Sequence, residues 1–166
     1  MTHEELGNAF RQAWSRFTTG VAVITTLEPG GKLHGMTANG VTSVSLSPPL
    51  ALASVGHERN SHPLIHGNGR FGLSILALGQ EAIARHFTVP PIERPADVEI
   101  PTVRLGDSDV IAGALAAMDC RVVTSHDEGD HTLFVAEVEH VSFTDGEPLV
   151  WYRGQFNRLG RPGNWR

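Results

Sequence analysis

The chain has 166 residues, 40% hydrophobic and 19% charged, the make-up of one soluble globular domain over residues 1–166 with a core of its own. Thirteen Lys and Arg against 18 Asp and Glu give a formal net charge of −5 with no basic block, which excludes a nucleic-acid or anionic-membrane partner on electrostatic grounds. No secretory leader pattern or membrane-length apolar run occurs, and the lone Cys120 excludes an intrachain disulfide, so a cytoplasmic location is expected.

Thr2 to Phe17 reads as an amphipathic helix. Thr2 and Glu5 make a capping box, and Leu6, Phe10, Ala13, Trp14 and Phe17 fall on one face. Gly20 to Thr26 is a β-branched strand, turned by Glu28-Pro29-Gly30-Gly31 into a second hairpin arm from Lys32 to Thr37. Small and hydroxyl-bearing residues dominate Gly35–Val55. Val41, Thr42, Val44 and Leu46 form one β segment there, and Leu50, Leu52 and Val55 a second. Ser47-Pro48-Pro49 makes a stiff corner between them, because proline fixes φ, lacks an N–H and keeps its predecessor out of the α region. Small side chains in such a stretch either let a flat ligand reach the backbone or relieve a bend in a barrel strand.

Gly56 to Gly69 is expected to be polar and irregular, carrying His57, His62 and His66. Arg70 to Ala77 is a strand with Phe71, Leu73 and Ile75 on one side, and Gln80 to Phe87 a short helix with Ala82, Ile83 and Phe87 inward. Pro90, Pro91, Pro95 and Pro101 make Thr88–Thr102 a long ordered loop or flap. From Val110 the chain is strand-like through Val123, with Cys120 a buried, inert thiol. A hairpin loop at His126–Asp130 leads to a long strand Leu133–Phe143, which Asp145-Gly146 turns into Pro148–Tyr152. The tail from Arg153 is basic and glycine-rich.

Many strands, few helices and no β-α alternation predict a closed antiparallel barrel with peripheral helices. No GxGxxG or Walker loop is present, so a bound nucleotide is not held on a Rossmann unit. His57, His62 and His66 match no HExxH spacing and have no Cys partner, so no metal is expected.

FTTGVAVITT (Phe17–Thr26), GMTANGVTSVSLSPPLALASV (Gly35–Val55), RFGLSILALGQEAIARHF (Arg70–Phe87), LAAMDCRV (Leu115–Val122), GDHTLFVAEVEHV (Gly129–Val141) and PLVWYRGQF (Pro148–Phe156) carry a resemblance. In order and spacing they resemble the short-chain flavin reductases, the reductase components of two-component flavin monooxygenases. The resemblance implies a mainly β fold, a split antiparallel Greek-key β-barrel of the FMN-binding type, in a homodimer. It implies an NAD(P)H:flavin oxidoreductase that moves a hydride from NADH or NADPH to FMN or FAD and supplies reduced flavin to a partner monooxygenase.

By the same carry-over, Thr37, Ala38, Asn39, Gly40 and Val41 line the isoalloxazine edge, and Ser54, Val55 and Gly56 close around it. Ser43, Asn60 and Ser61 serve the ribityl or phosphate end, with His86 and Phe87 near it. His131 is the catalytic candidate, on the nicotinamide side. Gly40 and Ser61-His62-Pro63 depart from the family's Asn-Ser and Ser-x-Thr patterns, so a hydroxyl contact at position 40 is absent. Two other functions fit the same barrel: a flavin-binding or redox-sensing protein without nicotinamide turnover, and a tightly FMN-bound reductase of ferric iron or another small acceptor.

Overall fold

The computed structural model describes residues 1–95 and 98–160. Helix α1 (His3–Trp14) begins as its capping box requires: Thr2 Oγ1 accepts the Glu5 N–H at 3.2 Å and the Glu5 carboxylate accepts the Thr2 N–H at 2.7 Å. Two donors that the helix cannot satisfy internally are thereby paired. Its apolar face stays uncovered, with Leu6, Phe10, Trp14 and Phe17 between 54% and 66% exposed. The aromatic rings lie on one another instead, Phe10 and Phe17 at 6.0 and 5.5 Å from Trp14.

The expected strand from Gly20 divides in two. Strand β1 (Thr19–Gly20) belongs to a small separate sheet, and β2 (Ala22–Leu27) pairs with β3 (Leu33–Ala38) as a hairpin. Strand β2 is buried on both sides because alternate side chains enter different cores, Ala22 and Ile24 one and Val23 the other. Strands β4 (Val41–Leu46) and β5 (Pro49–Gly56) make the second hairpin, turned at the cis Ser47–Pro48 peptide.

Residues expected to be irregular form helix α2 (Ser61–Asn68). Pro63 is tolerated because it lies in the first turn, where an N–H has no intrahelical acceptor. Ser61 and Ile65 are the residues it buries, and Asn68 Nδ2 donates to Thr26 Oγ1 at 2.9 Å and to the Leu27 carbonyl at 2.8 Å. Gly69 ends the helix in the left-handed conformation, φ 61°. Strand β6 (Arg70–Ile75) follows with Phe71 and Leu73 buried as expected. Helix α3 (Glu81–His86) buries Ile83 and Ala84 with Phe87 just beyond it, whereas Ala82, expected inward, faces solvent.

A hairpin of β7 (Thr102–Leu105) and β8 (Ser108–Ile111) occupies a segment with no expected strand before Val110. Strands β9 (Ala116–Glu128) and β10 (His131–Phe143) run 13 residues each, so the expected five-residue loop contracts to Gly129 and Asp130. Strands β11 (Val150–Tyr152) and β12 (Gln155–Asn157) join β1 in the small sheet, of order β1-β11-β12.

The main antiparallel sheet has seven strands in the order β3-β2-β6-β9-β10-β5-β4. It keeps two edges, β3 and β4, so the barrel is split and not closed by hydrogen bonds. Inside it, Ile24, Val55, Phe71, Cys120 and Phe134 are at most 1% exposed. Burial pushes the Cys120 thiol up to about 12, which makes it the inert core group the sequence suggests. A second core of Val23, Leu76, Ile83, Phe87 and Leu149 lies under α3. Among the described residues no helix is long and apolar enough to cross a membrane.

Candidate active site

The edges of the split barrel meet at the short link from β3 to β4, and the site is built around that link. An edge strand presents backbone groups with no strand partner. At Thr37 the C-terminal end of α3 and its cap supply partners: the Thr37 N–H donates to the Phe87 carbonyl at 3.1 Å, and the side-chain Oγ1 to the Ala84 carbonyl at 2.6 Å. Across the seam, the Ser54 N–H donates to the Gly40 carbonyl at 2.8 Å and fixes the link against β5.

A cleft of about 650 Å³ opens over this link. Thr37, Ala38, Asn39 and Gly40 line it together with Ser54, Gly56, Phe87 and His131. A neighbouring concavity of about 510 Å³ shares Asn39, Gly40 and Ser54 and adds Val41. A smaller recess of about 120 Å³ shares Arg59 and Phe87 with the cleft and holds Asn60 and Ser61.

Three other candidates stand apart. Val55 points its side chain into the barrel core, because Ser54 and Gly56 take the opposite side of the strand. Ser43 is exposed on β4 and lines none of these three spaces. His86 sits edge-on to Phe87, 5.0 Å between centroids, with Nδ1 buried and unpartnered.

His131 stands at the start of β10, directly across from Gly56. Its Nδ1 lies 2.6 Å from Asp130 Oδ1, and hydrogen bonding to His131 holds the Asp130 carboxyl below its usual range. With Nδ1–H donating to that carboxylate, neutral imidazole keeps an acceptor lone pair at Nε2, the atom nearest the Gly56 side of the cleft.

At the recess, His34 is 2% exposed and joins two partners, Glu28 Oε1 at Nδ1 and Ser61 Oγ at Nε2, each 3.0 Å away. The hydrogen bond with His34 is the main influence lowering the Glu28 carboxyl. Arg94 donates to the Gly35 carbonyl at 2.7 Å and lies 4.9 Å over the Phe87 ring, clamping the segment after α3 onto β3.

Several residues of the site escaped the sequence reading. Arg59 lines both cleft and recess, and its guanidinium has no side-chain partner among the described residues. Its signal was a lone cation beside Asn60-Ser61. Phe10 and Trp14 form one wall of the cleft, and their signal was the apolar face that helical spacing gives α1.

These groups suit a flavin. Asn39 is exposed, and its carboxamide enters no hydrogen bond among the described residues, which leaves donor and acceptor for the polar rim of a flat ring. Gly40 and Ala38 let the ring approach the link, and Arg59 supplies a free cation for a phosphate.

The flavin reductase like domain matches residues 14–160. The chain belongs to this family. An NADH-dependent flavin reductase of Rhodococcus is 42% identical over 160 residues, covering 93% of this chain and 89% of the relative. The reductase component of a Thermus thermophilus 4-hydroxyphenylacetate 3-monooxygenase is 36% identical over 93% of this chain and 97% of its own length. The solved structure of flavin reductase PheA2 in its native state superposes with a TM-score of 0.87 at 37% identity, covering 97% of this chain and all 100% of that one. As a flavin reductase domain, the chain has the split barrel that the resemblance implied.

Proposed function

We propose that this chain is a one-domain NADH:flavin oxidoreductase that reduces FMN or FAD and releases the reduced flavin to a flavin-dependent monooxygenase. The observation that carries this reading is the open cleft over Asn39 and Gly40, with His131 on one side and Arg59 on the other. Among the described residues, neither the tail after Tyr152 nor the Pro90–Pro101 loop lines that cleft, which supports room for a nicotinamide. The Rhodococcus relative's name specifies NADH and the Thermus relative's a monooxygenase, which supports both halves of the proposal.

When bound, the flavin accepts a hydride that the nicotinamide supplies. The chain's part is to bind, orient and exclude water. Backbone groups of Ala38 to Val41 and the Asn39 carboxamide read the ring's polar edge and favour the negative charge that reduction places there. Arg59, Asn60 and Ser61 hold the phosphate end. His34 fixes the Ser61 hydroxyl, and Glu28 fixes His34. Phe10 and Trp14 present aromatic surface across the cleft and keep water from its inner part.

NADH oxidation with riboflavin, FMN or FAD added in turn tests the function. Flavin-dependent turnover, with FMN half-saturating below riboflavin, is the expected result. Flavin binding without turnover would leave a binding module, the rival reading.

His131 accepts a hydrogen bond from the nicotinamide carboxamide at Nε2, while Asp130 keeps its proton on Nδ1. Replacing His131 by Ala is expected to lower kcat/KM for NADH about tenfold, roughly the worth of one hydrogen bond to a neutral group. Flavin affinity should stay within about twofold. Unchanged turnover would remove His131 from the reaction.

The protein acts as a homodimer, with the exposed face of α1 part of the contact. Twelve-residue helices gain most of their stability from packing, and this one buries no residue within its own chain. A sedimentation mass near twice 17.9 kDa is expected; a 17.9 kDa species at micromolar concentration would refute the dimer.

A further inference from the structure

We infer that His57, His62 and Asp127 form a binding site for a divalent transition metal of the zinc class. Three separate elements bring them together: His57 follows β5, His62 lies in the first turn of α2, and Asp127 is near the end of β9. One ligand atom from each lies within 4.8 Å of the other two. His57 Nε2 and Asp127 Oδ1 are 3.7 Å apart, near the roughly 3.3 Å edge set by four ligands about 2.0–2.1 Å from a zinc ion. His66, on the same helix as His62, does not join them.

The hydroxyl of Thr132 gathers the three groups. Thr132 is 1% exposed and directly opposite Asp127 in the hairpin register. Its Oγ1 donates to Asp127 Oδ1 at 2.6 Å and lies 2.7 Å from His62 Nε2 and 3.1 Å from His57 Nε2. A hydroxyl has one proton and two lone pairs, so it satisfies all three without a metal and holds them facing one point. A cation replaces the hydroxyl as the common partner. Each ring proton then resides on Nδ1, a lone pair at Nε2 turns to the ion, and no net proton is released.

Two imidazoles and a carboxylate suit zinc-class ions, and three protein ligands leave the remaining position to water. Access is open, because the side chains of His57 and Asp127 are 41% and 80% exposed. The ion would join α2 to the β9–β10 hairpin, whose turn ends at Asp130, next to His131. The His57 N–H already donates to the Asp130 carbonyl at 2.9 Å. The site is therefore placed to stiffen one side of the cleft.

The test is calorimetric titration of Zn²⁺ into the tag-free full chain, stripped beforehand with chelator, with Co²⁺ absorption as a second signal. One saturable ion per chain is expected, weakened at least tenfold in both His62→Ala and Asp127→Asn and unchanged in His66→Ala. The ion should also raise the melting temperature of the wild type and not of the two ligand variants. Absence of saturable binding overturns the site, and so does equal affinity in wild type and Asp127→Asn. The His62 ring lies tilted against Phe134, 5.6 Å between centroids. If His62→Ala fails to fold, Asp127→Asn, altered at an exposed side chain, decides alone. The readout is binding, so it stands or falls apart from the reductase activity.

Discussion

Replacing Asp119 by Ala is expected to destabilise the fold by about 3–5 kcal/mol, the cost of breaking a buried ion pair and stranding its cation. For a chain of this length that is a fall of roughly 10 °C or more in Tm. Asp119 has no exposed surface and lies at the centre of four donors: Arg70 Nη1 at 2.6 Å, Ser108 Oγ at 2.7 Å, the Asp107 N–H at 3.0 Å and His140 Nδ1 at 3.2 Å. These come from β6, from the β7–β8 hairpin and from β10, so one carboxylate ties the small hairpin to the barrel. Arg70 reaches on to Glu139 at 2.6 Å, but Glu139 is partly solvated and cannot replace a buried acceptor.

The same residue sets a dependence on acid. Desolvation is the largest single influence and pushes the carboxyl upward, but the bonds from Asp107, Ser108, Arg70 and His140 together outweigh it and hold Asp119 at about 2, against 3.8 ordinarily. The folded value lies below the unfolded one. The contribution, on the order of 2 kcal/mol, is therefore complete above about pH 4 and lost as pH falls towards 2. Urea unfolding of wild type and Asp119→Asn at pH 7, 4 and 3 checks this: the wild type should lose part of its advantage over the variant only in the last step. Arg104→Ala removes exposed pairs to Asp107 and Asp109 at 3.9 and 3.5 Å and should leave Tm nearly unchanged. A similarly small effect from Asp119→Ala would mean the carboxylate is not the tie.

The residues that declared themselves in the sequence are those whose local chemistry and tertiary role agree. The β-branched run expected over Gly20–Thr26 and the strand expected over Leu133–Phe143 are realised within β1, β2 and β10. Thr2 and Glu5 announce a helix start that the structure keeps. Helix α2 was hidden because Pro63 and Gly67 argue against a helix locally. Burial of Ile65 and Ser61 decides it instead, and that is a tertiary fact. The β7–β8 hairpin was hidden by the prolines before it.

In the site, Thr37 to Gly40, Ser54, Gly56 and His131 share one cleft. Composition alone offered a bent barrel strand as an equal account of the first four, and the resemblance supplied the difference. Ser43 and Val55 show its limit, since a motif carries residue names but not which way each side chain turns. The meeting of His62 with Thr132 and Asp127 spans 70 residues, and no spacing rule reaches that far.

Replacing Gly40 by Leu is expected to weaken flavin binding at least tenfold, about 1.4 kcal/mol, while leaving the fold stable. A Cβ at Gly40 would stand 3.3 Å from Ser54 Cβ and 3.6 Å from the Ser54 carbonyl. That is tight but met by a shift of a few tenths of an ångström, and the position is exposed, so stability should change little. The remaining atoms of leucine extend into the cleft or the adjoining concavity that Gly40 also lines, where they crowd the ring's approach to the link. A series Gly40→Ala, Val and Leu should therefore raise the flavin Kd in steps that follow side-chain volume, read by fluorescence quenching. Ser43→Ala is the contrast: the resemblance places Ser43 at the flavin, but its side chain lines none of the three spaces, and its Kd should match the wild type. The opposite pattern, normal binding in Gly40→Leu and a loss in Ser43→Ala, would move the ring off the β3–β4 link and onto the face of β4, and the roles given to Asn39 and His131 would go with it.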